Sequence, residues 1–257
     1  MGCPAKRTAA RGKGLVNSIV QNNYCDDIVA RRLFAGVVLS KTAEYIHLEF
    51  AQPRRALSSA VFNGGLCWAS HWLNYKVPLN CPLDVEEPVV TLENYARNKG
   101  WQGDTVGMMT AASMNSLRIH AAEIEGEHIV VISTAGISNA LRAGDSADYG
   151  LHQQVVREVG TINTAIITSA TLSDAAMVET HMIATEAKAA IFQQLGIKST
   201  VSETIATGTG TDASLVVSGQ SATSIRFAGK HTVFAQQVAR LTMASIADSL
   251  NPVERAA

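Results

Sequence analysis

Charged residues make up only 17% of this 257-residue chain, aromatic residues only 5%, and the formal net charge is −1. The lack of a basic excess argues against a general nucleic-acid-binding protein, because such proteins neutralise phosphates with lysine and arginine. Extensive disorder is also disfavoured, since hydrophobic residues make up 47% of the chain and net charge is low. We therefore expect a globular protein with a substantial buried core and no nucleic-acid partner.

Long hydrophobic runs are absent as well. Apolar stretches such as 129–132 and 165–167 have the length of strands and are much shorter than a membrane-spanning helix. The first fourteen residues are basic and contain no apolar stretch that could form the core of a signal peptide. We expect a cytoplasmic protein with no membrane partner. Residues 1–40 are expected to form a flexible basic tail and lead-in, and residues 41–257 one domain.

Clusters of metal-ligating residues are missing too. The four cysteines stand at positions 3, 25, 67 and 81 and form no CxxC pair, which argues against a zinc clip or a redox pair. The histidines are scattered, without HExxH spacing. His181 and Glu186 lie five residues apart on one predicted helix, about 500° of rotation, so they do not share a face. We expect no metal site and no protein-bound cofactor.

Predicted strands and helices alternate along the chain. Strands are predicted at 45–50, 56–62, 117–124, 128–134, 162–168 and 213–217, and helices at 91–99, 173–195 and 230–250. The turns at 63–65 and 125–127 are typical of hairpins. This order indicates one α/β or α+β domain of layered sheet and helices, compatible with a four-layer αββα sandwich. The apolar face of helix 173–195 is predicted to contain Val178, Met182, Ala189, Phe192 and Leu195.

Three loops rich in small polar residues lie beside predicted strands, at 135–140, 160–163 and 206–212. Binding sites are often built from loops at strand ends, where glycine allows close backbone approach and threonine offers a hydroxyl. Any one of them could be an ordinary turn, but three together favour a site. The loop at 206–212 lacks the Gly-Lys-Ser/Thr ending of a phosphate-binding loop. It also precedes a strand, where a dinucleotide fingerprint would precede a helix.

Seven short stretches carry a family resemblance: LSSAVFNGG (57–65), GMMTAA (107–112), STAGISNA (133–140), GTIN (160–163), ATEAK (184–188), ATGTGTD (206–212) and FAGKHT (227–232). In these stretches and their order, the chain resembles the adenosylcobinamide amidohydrolase family of corrinoid salvage enzymes. The resemblance implies hydrolysis of the amide that joins the aminopropanol arm to the corrin side chain of adenosylcobinamide. The products would be adenosylcobyric acid and aminopropanol. The implied partner is a corrinoid substrate, which carries the cobalt itself.

From Thr161 onward the chain is also similar, more distantly, to the L-aminopeptidase/D-amidase and ornithine acetyltransferase group. In that group a serine or threonine after a glycine becomes an N-terminal nucleophile by self-cleavage, and the freed amine acts as its base. This similarity implies that Thr161 is the nucleophile, that Asn139 donates to the oxyanion, and that Thr211 and Asp212 form a polar relay. The alternative is that the Thr161 hydroxyl caps a strand or contacts substrate.

The remaining candidates are substrate-binding residues: Ser138, Asn163, Thr110, Gly208, Gly210, Glu186, Lys230 and His231. Glu186 and Lys188 lie two apart on one helix, so we expect one to face the site and the other solvent. Lys230 and His231 are predicted to open the last helix. A cation opposes the helix dipole there, and this favours a functional role.

Three aromatic residues, Trp68, Trp72 and Tyr75, have the spacing of one helical face. They are expected either to offer a flat apolar surface to the corrinoid or to pack in the core. Two other functions remain open from the sequence: a non-catalytic corrinoid-binding protein, and an amidase or aminopeptidase of related fold acting on peptides. A homo-oligomer is compatible with the sequence.

Overall fold

The computed structural model describes residues 16–17, 30–78, 86–147 and 160–251. The predicted basic tail, residues 1–14, lies outside the described residues. The described strands are β1 (Val16–Asn17), β2 (Arg31–Phe34), β3 (Val37–Lys41), β4 (Tyr45–Ser58), β5 (Gly65–Lys76), β6 (Thr105–Thr110), β7 (Arg118–Ile124), β8 (Glu127–Ala135), β9 (Ala140–Leu141), β10 (Ile162–Thr168), β11 (Thr171–Leu172), β12 (Gly208–Thr209), β13 (Ala213–Val217) and β14 (Ser224–Ile225). The described α-helices are α1 (Pro88–Asn98), α2 (Asp174–Leu195) and α3 (Val233–Leu250).

One curled sheet organises the described part of the chain. Its strand order is β1-β7-β8-β10-β13-β4-β3-β2, and β5 and β6 extend it from β4. The first half of β4 pairs with β3 and β5, whereas its last residues pair with β13 and β5. The register shifts between Glu49 and Arg54, where β4 changes partners. One half of the sheet contains β1, β7, β8, β10 and β13, and the other contains β2, β3, β5 and β6. Because β4 pairs with strands of both halves, one continuous sheet forms both layers. Strands β2 and β3 fall within or next to the predicted lead-in, residues 1–40.

Alternating residues of the central strands face two different cores. In β10, Ala165 and Ile167 face the core between the two halves of the sheet, and Ile166 faces the core beneath α2 and α3. This period of two is that of a strand buried on both faces. It explains why the sequence shows an unbroken apolar run at this strand.

Helix α1 covers the outer face of β6 on the opposite side of the molecule. A Cβ at Gly107 of β6 would lie 3.1–3.2 Å from side-chain atoms of Phe62 and of Leu92 in α1, so a larger residue here would require these side chains to shift. The layers therefore run from α2 and α3 through both halves of the sheet to α1. The predicted layered α+β fold is confirmed, with the two sheet layers formed by one curled sheet. No helix in the described ranges is long and apolar enough to cross a membrane.

Most predicted elements are found close to their predicted positions. Strands β10 and β13 have the predicted bounds, and β7 and β8 form the predicted hairpin. Helix α2 begins after Ser173, whose hydroxyl accepts from the Ala176 amide, and ends at Gly196 in the left-handed conformation. Both are strong helix-end signals that the sequence displays directly.

The predicted apolar face of α2 is only partly correct. Phe192 is fully buried as predicted, but Val178 and Met182 are 50% and 56% exposed and Leu195 is 41% exposed. Half of the buried residues of α2 are alanine or threonine, among them Ala176 and Ala184, and the other half are methionine, isoleucine or phenylalanine. Alanine allows the helix to lie close to the sheet, and this helix carries apolar residues on several sides, so the apolar pattern alone could not select the buried one.

The predicted helical face of Trp68, Trp72 and Tyr75 is also wrong, because all three lie on strand β5. Trp72 is buried in the core between the sheet halves and Trp68 is 51% exposed on the outer face. In a regular strand, residues separated by an even number of positions share one face. Trp68 and Trp72 are four positions apart but lie on different faces, because the β4–β5 pairing is irregular between them.

Lys230 and His231 do not open the last helix, as the sequence had indicated. Thr232 is the N-cap of α3, and its hydroxyl accepts from the amide of Ala235. A threonine side chain satisfies a free amide at this position, whereas lysine and histidine offer no comparable acceptor. The helix dipole therefore gives no reason to assign a functional role to Lys230 and His231.

A stack of buried rings joins β4 and β5 to the segment after α1. The ring of His47 lies parallel to Trp101, with centroids 3.9 Å apart. His71 Nε2 lies 2.9 Å from the carbonyl oxygen of Gln102, which can only accept, and His71 Nδ1 lies 3.0 Å from His47 Nε2. In the neutral pair His47 therefore donates to His71. Burial, together with the neighbouring His71, lowers the pKa of His47 from 6.5 to about 3.

We expect acid to destabilise the fold through His47. Below pH 6.5 the unfolded chain binds a proton at this ring that the folded chain excludes until about pH 3. The free energy of unfolding should therefore fall as pH drops across this range, by up to about 1.4 kcal/mol per pH unit for one group. His47→Gln should make this dependence shallower in urea unfolding, whereas His231→Gln, at an exposed site, should not. Equal slopes in all three proteins would contradict the assignment.

Candidate functional site

The loops predicted to form a site meet at one edge of the sheet. Strands β10 and β13 are parallel neighbours, with Asn163 opposite Ala213. Their first residues therefore lie side by side, and so do the loop residues that precede them. Thr161 is placed next to Thr211, as the sequence interpretation required.

The two threonine hydroxyls form a chain that ends at the carbonyl oxygen of Gly160. Thr211 Oγ1 donates to that oxygen at 3.0 Å and lies 2.7 Å from Thr161 Oγ1. A hydroxyl has one proton, so Thr211 accepts from Thr161 when it donates to Gly160. The Thr161 side chain is almost fully buried, at 2% exposure for the residue.

The Asp212 carboxylate fastens the loop before β13 to β10. Its Oδ1 accepts from the Ile162 amide at 2.9 Å, its Oδ2 accepts from the Thr209 amide at 2.9 Å, and the Thr209 hydroxyl also donates to it. Lys188 of α2 forms an ion pair with Oδ2, and both side chains are mostly buried. With four donors engaged, this carboxylate ties together its own loop, the start of β10 and α2.

Lys188 was not among the predicted site residues, although it stands in the ATEAK stretch. Of the two charged residues there, Lys188 faces the site, and Glu186 faces solvent and pairs with Lys230. This bears out the expectation that the two point in different directions. A pairing between the lysine of ATEAK and the aspartate of ATGTGTD is the sequence signal that could have identified it.

Close backbone approach explains two of the glycines. A Cβ at Gly160 would lie 2.5 Å from Asn139 Oδ1 and 2.8 Å from the backbone nitrogen of Ser138. A Cβ at Gly208 would lie 2.3 Å from Asp212 Oδ2. Gly210 approaches the Asn139 side chain from the other side. The three loops are thus packed together at the edge of the sheet.

Asn163 belongs to a polar network between the two halves of the sheet. Its Nδ2 donates to Asn74 Oδ1 at 2.7 Å and to the carbonyl of Met109 at 2.8 Å, and Asn74 donates to Thr134. Thr110 follows Met109 at the end of β6 and is also buried. Asn163 is fully buried and points to the same side of β10 as Thr161. Sequence reasoning missed Asn74, whose only signal is an amide within an apolar strand.

Two buried amide oxygens near Thr161 find no hydrogen-bond donor in the part of the chain that the structure describes. Asn139 Oδ1 and Asn163 Oδ1 are buried, and neither accepts a hydrogen bond from the described residues. Unsatisfied buried acceptors are costly and are uncommon in folded proteins. Asn139 Oδ1 lies beside Gly160, and Asn163 follows Thr161 by two residues, so this region can accept hydrogen bonds from a ligand.

A groove lies between α2 and the starts of β10 and β13. It encloses a cavity of about 90 Å³ beside Asp212 and Lys188. In its wall, a ring nitrogen of His181 lies 3.2 Å from Ser214 Oγ. Burial, and to a lesser extent the charge of Lys188, lowers the pKa of His181. The imidazole is therefore uncharged at neutral pH. Neither His181 nor Ser214 was a predicted site residue.

The other predicted residues lie apart from this cluster. Lys230 and Glu186 are 72% and 50% exposed in their side chains and bind each other. His231 is exposed, and no contact among the described residues joins it to Thr161. Within the described ranges, no three histidine, cysteine, aspartate or glutamate side chains group as a metal site would require.

Comparison with known proteins identifies the class of this α+β protein. A family model described as adenosylcobinamide amidohydrolase matches residues 31–255. An uncharacterized protein of Methanocaldococcus jannaschii is 32% identical over 220 residues, covering 79% of this chain and 84% of that protein. An adenosylcobinamide amidohydrolase of Methanosarcina mazei is 26% identical over 197 residues, covering 73% of this chain and 86% of that protein.

The family name denotes a hydrolase that acts on amides. The chain belongs to the adenosylcobinamide amidohydrolase family. A crystal structure of a protein from Pyrococcus horikoshii OT3 overlaps 91% of this chain and 83% of that chain, with a TM-score of 0.43 and 10% identity. A likeness at that level supports no conclusion about function.

We expect the Lys188–Asp212 pair to stabilise the fold strongly. Lys188→Met or Asp212→Asn should lower the free energy of unfolding by about 1–3 kcal/mol, because each leaves a mostly buried polar group without its partner. The double variant should recover part of this loss. The matched control is Lys230→Met, which breaks the exposed ion pair with Glu186 of α2 and should cost less than about 0.5 kcal/mol. Equal losses in urea unfolding for both lysines would contradict this ranking.

Proposed function

We propose that the chain hydrolyses the amide between the aminopropanol arm and the corrin side chain of adenosylcobinamide, releasing adenosylcobyric acid and aminopropanol. Membership of the family over residues 31–255 carries this proposal. The buried hydroxyl chain at Gly160 supports it, because amide hydrolysis through an acyl intermediate needs a positioned hydroxyl and nearby donors. The cobalt enters with the substrate, and the proposal needs no cofactor of the protein.

Thr161 is the proposed nucleophile, with its own α-amine as the base. In the uncut chain the described hydrogen-bond partner of its hydroxyl is another hydroxyl, and the Asp212 carboxylate is already occupied by four donors. Cleavage between Gly160 and Thr161 would supply the missing base. The Thr211 hydroxyl already donates to the Gly160 carbonyl oxygen, where negative charge would develop if Thr161 Oγ1 attacked that carbonyl carbon.

In the proposed reaction the freed amine takes the hydroxyl proton of Thr161 as Oγ1 attacks the substrate amide carbon. The carbonyl electrons move to oxygen, which the Thr211 hydroxyl and the Asn139 amide group would stabilise. The C–N bond then breaks, and the aminopropanol nitrogen leaves with the proton. Water, deprotonated by the same amine, hydrolyses the ester and restores Thr161.

The assay is release of aminopropanol from adenosylcobinamide by the full-length protein. Thr161→Ala should reduce kcat by at least about 1,000-fold and prevent cleavage, so that the variant runs as one chain by intact mass spectrometry. Thr161→Ser should retain part of both activities, since it keeps a hydroxyl. The control, Thr91→Ala in α1, should behave as wild type.

Two results would overturn parts of this proposal. An intact wild-type chain that still hydrolyses substrate would remove the α-amine as base. Full activity of Thr161→Ala would remove Thr161 as nucleophile. Binding of adenosylcobinamide without release of aminopropanol would instead favour the non-catalytic corrinoid-binding protein.

A further inference from the structure

The buried side chain of Asn163 carries an amide group whose orientation is fixed by a backbone carbonyl. Its Nδ2 lies 2.8 Å from the carbonyl oxygen of Met109, which can only accept a hydrogen bond. The Asn163 atom at this contact is therefore the nitrogen and not the oxygen. A second hydrogen bond, 2.7 Å long, runs from the same nitrogen to Asn74 Oδ1. Both protons of the amide are thus engaged, and Oδ1 is the remaining hydrogen-bonding atom of the group.

Asn74 holds this arrangement from the other half of the sheet. Because its Oδ1 accepts from Asn163, its Nδ2 faces Thr134, whose hydroxyl oxygen lies 2.9 Å away. Asn74 and Asn163 are both fully buried. The Asn163 amide cannot turn over without breaking two buried hydrogen bonds, so its Oδ1 is an acceptor with a fixed direction.

This acceptor lacks a donor. Among the described residues, none donates a hydrogen bond to Asn163 Oδ1, although the atom is buried. An unsatisfied buried oxygen costs free energy, and such atoms are uncommon in folded proteins. A ligand that brings an N–H or O–H group to this position would remove that cost.

Asn163 lies next to the proposed nucleophile. Thr161 and Asn163 face the same side of the chain at the start of β10 and are two residues apart, which is about 7 Å along a strand. The next residue on that side, Ala165, belongs to the apolar core. Thr211, whose hydroxyl contacts that of Thr161, is exposed. A ligand that reaches Thr161 past this exposed residue therefore meets Asn163 as the next polar side chain of the strand.

We propose that Asn163 Oδ1 accepts a hydrogen bond from the N–H of the amide that is cleaved, and that this contact makes the site select amides over esters. The inference rests on the proposed function and adds the group that recognises the leaving nitrogen. When Thr161 Oγ1 attacks the amide carbon, the nitrogen bonded to that carbon lies between Thr161 and Asn163. An ester has an oxygen without a proton at this place and would leave Asn163 Oδ1 unsatisfied.

The same contact assists the breaking of the C–N bond. After attack by Thr161 Oγ1, the nitrogen lone pair is no longer shared with the carbonyl group, and the nitrogen becomes pyramidal. The hydrogen bond to Asn163 keeps the N–H on one side, so the lone pair points to the other side and takes the proton from the protonated α-amine of Thr161. The oxyanion then re-forms the carbonyl group, the C–N electron pair moves to nitrogen, and aminopropanol leaves as a neutral amine.

The test compares two substrates in the full-length protein. One is adenosylcobinamide, and the other is the matching ester of adenosylcobyric acid, in which oxygen replaces the nitrogen of the scissile amide. Asn163→Leu should lower kcat/KM for the amide by about 10-fold or more and for the ester by less than about 3-fold, because only the amide loses a hydrogen bond. A general disturbance of the site lowers both values and cancels in their ratio.

The matched control is Thr242→Val in α3. Thr242 is almost fully buried, as Asn163 is, and its hydroxyl likewise finds no partner among the described residues. This variant should keep the wild-type ratio of amide to ester turnover.

Asn74 acts through Asn163 and is a positioning residue. Asn74→Ala should lower the amide-to-ester ratio of kcat/KM by about 3-fold or more, because it removes one of the two acceptors that orient the Asn163 amide. Asn74→Asp should restore the ratio, since a buried carboxyl group stays protonated and offers an acceptor to Asn163 and a donor to Thr134. A merely structural role of Asn74 would leave the ratio unchanged.

One measurement on the wild-type protein does not depend on how the variants fold. Adenosylcobinamide that is N-methylated at the scissile amide keeps its arm and its carbonyl group but has no N–H. It should be hydrolysed at least about 10-fold more slowly than adenosylcobinamide. Equal rates would overturn the inference.

The outcomes distinguish failure of this inference from failure of the proposed function. If the wild type hydrolyses both substrates and Asn163→Leu loses both equally, the inference is wrong and the proposed function stands; a water molecule as the donor to Asn163 would give this result. If the wild type releases no aminopropanol, the proposed function is wrong. Equilibrium dialysis of the same two compounds then decides the inference. A preference for the amide that Asn163→Leu abolishes supports it, and equal binding of amide and ester contradicts it.

Discussion

The parallel pairing of β10 with β13 is the constraint on which the site depends. Two strands that run in the same direction bring their first residues to one edge, and here these residues follow the two loops with the most polar side chains. Asp212 then fixes the distance between them, since its carboxylate accepts from the backbone of β10 and from its own loop. Thr161 and Thr211 each lie two residues before the paired residues Asn163 and Ala213, and this register brings their hydroxyls together.

Burial on both faces gives this edge its chemical character. One face of β10 is covered by α2, from which Lys188 reaches Asp212, and the other faces the second half of the sheet, where Asn74 meets Asn163. Thr161 and Asn163 are almost fully buried and the side chains of Lys188 and Asp212 are mostly buried, so hydrogen bonds and charges act there with greater strength than at the surface. The site is thus a small polar region within an otherwise apolar interior.

The sequence predicted those features that depend on local signals. The bounds of β10 and β13, the cap residues of α2 and the hairpin of β7 and β8 all follow from patterns within a few residues. The motif series predicted the family, and the Gly160–Thr161 step lies at the edge of the sheet where the three polar loops meet. Features that depend on distant partners were not accessible from these patterns.

Trp68 shows this limit most clearly. Its spacing from Trp72 fits a helix, and only the pairing of β5 with β4 reveals a strand whose alternation is interrupted between them. Lys188 is a similar case, because its role depends on a carboxylate 24 residues away. The buried side of α2 combines large apolar residues with alanines, while the exposed side also carries apolar residues, so an apolar count does not distinguish the two sides.

Strand β4 pairs with strands of both halves of the sheet, and this has a consequence for how the chain folds. Its last residues pair with β13, and the Ser59 amide donates to the carbonyl of Ser214, a contact that closes a loop of more than half the chain. Such long-range closure is entropically costly and slows folding. During synthesis, β4 has an unpaired edge until residue 217 has emerged from the ribosome, and exposed edges of this kind can pair with other chains. The nascent protein is therefore most open to aggregation late in translation, when nearly all of its apolar residues have already been made.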